Sequence, residues 1–82
     1  MRWNKTGRTV YATGESTTFY ASDNGLFRIE SRKRAIPHSN KPGTWMHTYY
    51  YLINNQTGEE KEFHALKDAK ESAEVFVNEK MD

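Results

Sequence analysis

The last quarter of the chain has a hydrophobic pattern with helical spacing. Its apolar positions recur at intervals of three and four residues: Leu66, Ala69, Ala73, Phe76 and Val77. This spacing places them on one stripe of a helix with a 3.6-residue period. Charged and polar residues lie between them: Lys67, Asp68, Lys70, Glu71, Glu74 and Asn78. The pattern predicts a helix over residues 65–81, with Ala65 at its N-cap, that packs on an apolar sheet.

Alternating patterns upstream of the helix predict strands. Residues 17–22 form two alternating sets: Thr17, Phe19 and Ala21 against Thr18, Tyr20 and Ser22. Asp23-Asn24-Gly25 then gives a turn signal, because Asn and Gly tolerate a positive φ. The next predicted strand, residues 26–33, also has two faces: Phe27, Ile29 and Ser31 on one, and Arg28, Glu30 and Arg32 on the other.

The rest of the chain supplies a loop and two further strands. Two prolines, a glycine and several polar residues predict a long loop over residues 34–44. The aromatic run of residues 45–53 is the strongest strand candidate, and a turn at residues 54–58 leads to a more polar strand over residues 59–64. Phe63 is expected to join the sheet to the helix.

These elements predict a single α+β domain over residues 1–82. We expect an antiparallel sheet of three to four strands, formed as a meander over residues 16–64, with one C-terminal α-helix packed on one face. Residues 1–15 have no clear periodicity, and Thr9–Ala12 is one possible short strand. Whether this N-terminal segment joins the sheet is left open.

Composition narrows the class of protein. The chain has 82 residues and no cysteine, which excludes disulfides and cysteine-based zinc sites. No apolar run approaches the length of a membrane span and no secretory signal is recognisable, so we expect a cytoplasmic protein. Net charge is +1, yet residues 1–44 carry eight Lys and Arg against three acids, whereas residues 45–82 carry four against eight. This asymmetry predicts one basic and one acidic surface.

The basic residues of the predicted second strand are the main candidate for a binding site. If the helix covers Phe27 and Ile29, then Arg28 and Arg32 face away from it. Either Trp45, His47, Tyr49 and Tyr51 or Met46, Thr48 and Tyr50 must share that face. Arginine neutralises phosphates and aromatic rings stack on bases, so such a face suits nucleic acid. The alternative is a solvated or protein-binding face on which Glu30 pairs with Arg28 or Arg32.

Other chemistry has little support in the sequence. His38, His47 and His64 match no metal-ligand spacing, and no cofactor motif is present. No nucleophile, paired acids or glycine-rich phosphate loop occurs, so we predict a protein that is not an enzyme. Glu59, Glu60 and Glu62 are expected to form an acidic edge strand that discourages strand addition.

Part of the chain resembles a known architecture. The features are the basic strand Phe27-Arg28-Ile29, Trp45 at the start of a strand, Thr57-Gly58 before the last strand, and Phe63 ahead of the helix start Leu66-Lys67-Asp68-Ala69-Lys70. From Leu26 onward this resembles the plant AP2 domain and the arm-binding domain of phage and transposon tyrosine recombinases. It is also similar to small sheet-plus-helix proteins of phages and mobile elements. The resemblance implies that a sheet face contacts DNA in the major groove.

Two functional hypotheses follow. The first is a nucleic-acid-binding protein that uses the basic sheet face and the 34–44 loop. Its candidate contacts are Arg28, Arg32, Lys33, Arg34, Lys41 and His47. The second is a phage-type accessory protein, inside the host cell, that binds and modulates a host protein through exposed aromatic residues and the acidic helix. The sequence makes no prediction of oligomeric state.

Overall fold

The fold is a five-stranded antiparallel sheet followed by one helix. The computed structural model describes the backbone of residues 2–81 and the side chains of residues 2–77, so the side chain of Asn78 lies outside the described ones. The elements are β1 Trp3–Val10, β2 Ser16–Ser22, β3 Phe27–Pro37, β4 Thr44–Asn54, β5 Glu60–Phe63 and α1 Leu66–Met81. The strand order is β1-β2-β3-β4-β5, a simple meander. The α+β class is confirmed, as is the helix to within one residue of its predicted start.

The number of strands was predicted wrongly, because β1 was not recognised. The sheet has five strands rather than three to four, and the N-terminal segment supplies the fifth as β1, paired with β2. Six of the eight β1 residues are exposed, so the strand lacks the apolar alternation that marks a half-buried strand. A bulge between Lys5 and Gly7 also interrupts its register.

The predicted 34–44 loop is also shorter than expected. β3 continues through Arg34, Ala35 and Ile36 to Pro37, which pairs with Thr44, so the loop spans only residues 38–43. Pro37 is tolerated because it is the last strand residue, where a missing N–H group removes no interior ladder bond. The loop is closed by a hydrogen bond from the His38 N–H to the Gly43 carbonyl, 3.2 Å long.

The core lies between one half of the sheet and α1. Its buried members are Phe27, Ile29, Leu52, Ala69 and Ala73. Partly buried apolar residues surround them: Trp3, Tyr20, Leu26, Phe63, Leu66, Phe76 and Val77. This confirms the predicted helix stripe and the role of Phe63. The two alanines are fully buried against the strands, and their small side chains let the helix approach the sheet.

Only half of the long β3–β4 hairpin lies under the helix. The contacts of α1 involve the end of the sheet near Phe27 and Leu52. The protein measures 52 Å along its longest axis, and β3 and β4 pair over their full eleven residues, from Phe27↔Asn54 to Pro37↔Thr44. We call the half beyond Ser31 and Tyr50 the distal half. Within the described residues, it carries no helix on either face.

A buried serine fixes the turn between β2 and β3. The Ser22 hydroxyl is 5% exposed. Its Oγ atom accepts the Phe27 N–H at 3.0 Å and lies 2.7 Å from Asn24 Oδ1. Only Gly25 of the turn has a positive φ, of 74°. Asn24 therefore acts through its side chain, which accepts the Leu26 N–H at 3.0 Å, rather than through the backbone conformation expected of it.

We expect Ser22→Ala to destabilise the fold by about 1–3 kcal/mol, because it leaves the buried Phe27 N–H without an acceptor. Urea unfolding of the purified variant measures this change. Ser39→Ala, in the exposed part of the 38–43 loop, is the matched control and should change stability by less than about 0.5 kcal/mol. Equal stability of the two variants would show that the Ser22 hydroxyl does not hold the turn.

Candidate binding face of the sheet

Over the described residues 2–81, one face of the sheet carries no helix, and we call it the open face. The register places Arg28, Glu30, Arg32 and Arg34 on this face, opposite Ile53, Tyr51, Tyr49 and His47 in that order. Phe27 and Ile29 lie on the other side, beneath α1. The predicted division of the strand into two faces is therefore confirmed. Of the two aromatic sets left open by the sequence, Trp45, His47, Tyr49 and Tyr51 share the face with the arginines.

These four rings form a continuous row along β4, which we call the ring ladder. The centroids of Trp45 and His47 are 5.3 Å apart, and those of His47 and Tyr49 are 4.5 Å apart. Tyr49 and Tyr51 follow at 6.5 Å. The row results from β-strand alternation, which turns every second side chain to the same face. Trp45 remains 44% exposed at the distal end.

The central arginines of the open face are paired with glutamates. Arg32 Nη2 lies 3.1 Å from Glu30 Oε1 and 3.9 Å from Glu60 Oε1. Its guanidinium carbon also lies 4.2 Å from the centroid of the Tyr51 ring. Arg28 Nε lies 3.9 Å from Glu30 Oε2, and its side chain is 53% exposed. Much of the positive charge at the centre of this face is thus neutralised, and the pairing expected in the alternative hypothesis is present.

Arg34 is held by the backbone and side chains of β2. Its Nη1 atom donates to the Ser16 carbonyl at 2.9 Å, and its Nη2 atom donates to Thr17 Oγ1 at 3.0 Å. The guanidinium carbon lies 5.6 Å from the Tyr11 ring centroid. These contacts fix the distal end of β3 against β2, so Arg34 has a structural role in addition to its position beside the ring ladder.

Glu15 lies next to Arg34 and secures the turn before β2. Its carboxylate accepts the Ala35 N–H at 3.1 Å and the Thr13 hydroxyl at 3.0 Å. The hydrogen bond from Ala35, then that from Thr13 and the charge of Arg34, lower the pKa of Glu15 below its ordinary value.

Stability should therefore depend on this carboxylate at low pH. Because the folded-state pKa of Glu15 is lowered, its contribution is fully present above the unfolded-state value of about 4.5 and is lost as the pH falls through the folded-state pKa. We expect the stability of the wild type to fall more than that of Glu15→Gln between pH 6 and pH 3. Urea unfolding at each pH tests this, and parallel pH profiles would contradict it.

The six predicted contact residues do not form one patch. Arg28, Arg32, Arg34 and His47 share the open face, as expected. Lys33 does not, because β-strand alternation turns it to the helix side, where it pairs with Thr48 and Ser16. Lys41 lies in the 38–43 loop at the distal tip. Lys33 is therefore separated from the arginines of the open face, whereas Lys41 lies in the loop to which the sequence assigned it.

The structure adds residues that the sequence did not single out. Phe19 lies on the open face between Glu30 of β3 and Gly7 of β1, which are its partners on the two neighbouring strands. A shallow cavity of about 560 Å³ opens here, between the β1 bulge and the exposed side of Arg28 and Asn55. The sequence did not predict this cavity because β1 was not recognised, and only the pairing of β1 with β2 brings Gly7 next to Phe19.

No family model, curated protein or solved structure matches the chain. The resemblance to sheet-plus-helix DNA-binding domains therefore stays a prediction.

Among the described side chains, no group of three His, Cys, Asp or Glu residues is close enough to hold a metal ion. As far as the helical residues are described, none form a stretch that is long and apolar enough to cross a bilayer.

Proposed function

We propose that the protein binds single-stranded nucleic acid on the open face of the sheet. The observation that supports this function best is the ring ladder, which stands on an uncovered sheet beside arginine side chains. Aromatic rings on an open sheet are suitable platforms for unpaired bases, because every base has a π-face and stacks without regard to sequence. Trp45 and Tyr49 are the principal platforms, since Arg32 already lies over the Tyr51 ring.

The width of the sheet favours a single strand over a duplex. Five strands spaced about 4.8 Å apart span about 19 Å between the outer strand axes, whereas the major groove of B-DNA is about 12 Å wide. The whole face therefore cannot enter the groove. Lys33 pairs with Ser16, the first residue of β2, so beyond Lys33 the hairpin of β3 and β4 is only two strands wide. This part is narrow enough for the groove, and duplex DNA is therefore a necessary comparison in any binding test.

Electrostatic contacts on this face are expected to be few. Glu30 and Glu60 partly neutralise Arg28 and Arg32, so one or two phosphate contacts are available there. For a single strand this corresponds to a slope of about −0.7 to −1.4 in a plot of log affinity against log salt. Stacking, which depends weakly on salt, should supply most of the affinity on this face.

Fluorescence anisotropy with labelled oligonucleotides tests the function. The probes are a 20-nucleotide poly(dT) strand, its RNA equivalent, and a 20-base-pair duplex, each titrated at several salt concentrations. We expect binding of both single strands and weaker binding of the duplex. Preference for the duplex would contradict the proposed geometry. Absence of binding at 50 mM salt would contradict the function.

Removing a neutralising acid should strengthen binding. Glu30→Gln keeps the shape of the side chain but frees Arg28 and Arg32 to contact phosphates, so we expect affinity for poly(dT) to rise about threefold and the salt slope to become steeper by about 0.7. Glu71→Gln, on the exposed face of α1 where Glu71 pairs with Lys67, is the control of equal charge. If Glu30→Gln binds no better than Glu71→Gln, the arginines of the open face do not contact the ligand.

A protein partner is the second candidate, and one observation favours it. Four of the large exposed apolar side chains lie at the distal end of the sheet, spread over both faces: Val10, Tyr11, Trp45 and Met46. Aromatic and methionine residues are common at protein interfaces. In that case Met46→Ala would weaken capture of a defined partner. Its side chain is neither an aromatic ring nor a cation, so the same substitution should leave oligonucleotide binding unchanged.

A further inference from the structure

The basic surface with the least opposing charge lies on the helix side of the distal half. β-strand alternation places Arg8 in the row of Ser31 and Lys33 in the next row, within the distal half. Lys5 is on the same side but nearer the helix, in the row of Ile29, and all three cations are exposed. Among the residues that the structure describes, none of these three cations has an ion-pair partner. The open face differs, because its central arginines contact Glu30 and Glu60. We call this helix-side surface the shelf.

Hydroxyl groups occupy the positions between these cations. One row of paired residues across the sheet runs from Arg8 through Thr18 and Ser31 to Tyr50. The next row towards the distal end places Lys33 beside Thr48. No acidic residue stands on this side of β1 to β4 in the registered pairs. Cations separated by hydroxyl donors, without a carboxylate on the strands between them, have the composition of a phosphate-binding surface.

We propose that the shelf binds the phosphate backbone of a nucleic-acid strand. The inference rests on the proposed function for its class of ligand, but it concerns different residues on the other face of the sheet. Arg8 and Lys33 are separated by two strand spacings across the sheet and two residues along it. Their backbone positions are therefore about 12 Å apart, and their long side chains reach separate phosphates. Nucleic acid is favoured over an acidic protein because the shelf adjoins, across the free edge of β1, the open face on which bases are proposed to stack.

The two faces meet at the free edge of β1. Residues 1–14 contain no Asp or Glu and include Arg2, Lys5 and Arg8. The distal half has no covering helix on either side, so a strand that stacks on the open face can pass over this edge and place its phosphates on the shelf. The shelf then supplies the salt-dependent part of binding, and the ring ladder supplies the stacking part.

A charge-matched pair of variants tests the shelf. Arg8→Ala/Lys33→Ala removes two shelf cations, and Lys61→Ala/Lys67→Ala removes two cations near β5 and α1. With the poly(dT) probe, we expect the shelf variant to lose about tenfold in affinity at 50 mM salt and to have a slope less negative by about 1.4. The control should lose less than about threefold, with an unchanged slope. Equal behaviour of the two variants would overturn the proposal.

Two further measurements identify the ligand of the shelf and distinguish this proposal from the proposed function. Poly-glutamate of matched charge should compete with poly(dT) weakly, and equal competition would overturn the assignment to nucleic acid. Loss of affinity in the shelf variant, without loss in a Trp45→Ala/Tyr49→Ala variant, would support the shelf and contradict stacking on the open face. Loss in the ring variant alone would support the proposed function and overturn the shelf.

Discussion

Ile29→Ala should cost about 2–5 kcal/mol of folding free energy, a large fraction of the total for a domain of this size. Ile29 is 0% exposed and lies in the core cluster with Leu52, Ala69 and Ala73. Its truncation removes buried methyl groups and leaves a cavity between the sheet and α1. An 82-residue domain has roughly 4–12 kcal/mol of stability in all. The urea midpoint of the variant should therefore fall by a large fraction of the wild-type value.

Urea unfolding followed by far-UV circular dichroism measures this loss. Val75→Ala is the control on α1, because Val75 is 54% exposed and its truncation should change stability by less than about 0.5 kcal/mol. A loss below 1 kcal/mol for Ile29→Ala would mean that the helix does not cover this position. The division into a covered face and an open face would then lose its basis.

Trp45→Ala/Tyr49→Ala should weaken binding of single-stranded nucleic acid about thirtyfold or more. Stacking of a base on an aromatic side chain contributes about 1–3 kcal/mol, and these two rings lie on either side of His47 in the ring ladder. Since stacking is only weakly dependent on salt, the affinity should fall at every salt concentration while the salt slope stays nearly constant. Anisotropy titrations with poly(dT) at three salt concentrations measure both quantities.

The matched control removes two exposed apolar side chains from the opposite face of the same half. Val10 and Met46 are 63% and 38% exposed, and they lie on the helix side of β1 and β4. Val10→Ala/Met46→Ala should bind poly(dT) within about twofold of the wild type. An equal loss in both variants would indicate a general change in the distal half. No loss in the ring variant would contradict base stacking on β4.

The helix and the central hairpin could be predicted from the sequence because each has one strongly apolar face. The 3.6-residue period of α1 and the alternation of β3 around Phe27 and Ile29 reflect burial on one side only. The same alternation correctly placed Arg28 and Arg32 on the opposite face. Where burial is one-sided, pattern and structure agree.

The remainder could not be predicted because its residues are exposed on both sides. β1 has no fully buried position and is bulged, so Trp3–Val10 shows neither the two-residue period of a half-buried strand nor the 3.6-residue period of a helix. The distal part of β3 is likewise uncovered, and Pro37 made residues 34–37 resemble a loop. β-strand alternation alone puts Lys33 on the side of Phe27 and Ile29, but its place in the basic run of residues 32–34 obscured this. The register of β5 against β4, which the sequence does not encode locally, decided that Glu60 approaches Arg32. The charge balance of the two faces therefore emerged only from the structure.

The central claim is that unpaired bases stack on the ring ladder, and ring-resolved NMR tests it most directly. Aromatic ¹H–¹³C spectra recorded during titration with poly(dT) should show large upfield shifts for Trp45 and Tyr49. The rings of Phe63 and Phe76, packed against the core on the helix side, are internal references and should stay unchanged. Saturating oligonucleotide that leaves Trp45 and Tyr49 unshifted, or that shifts only the helix-side rings, would contradict the account.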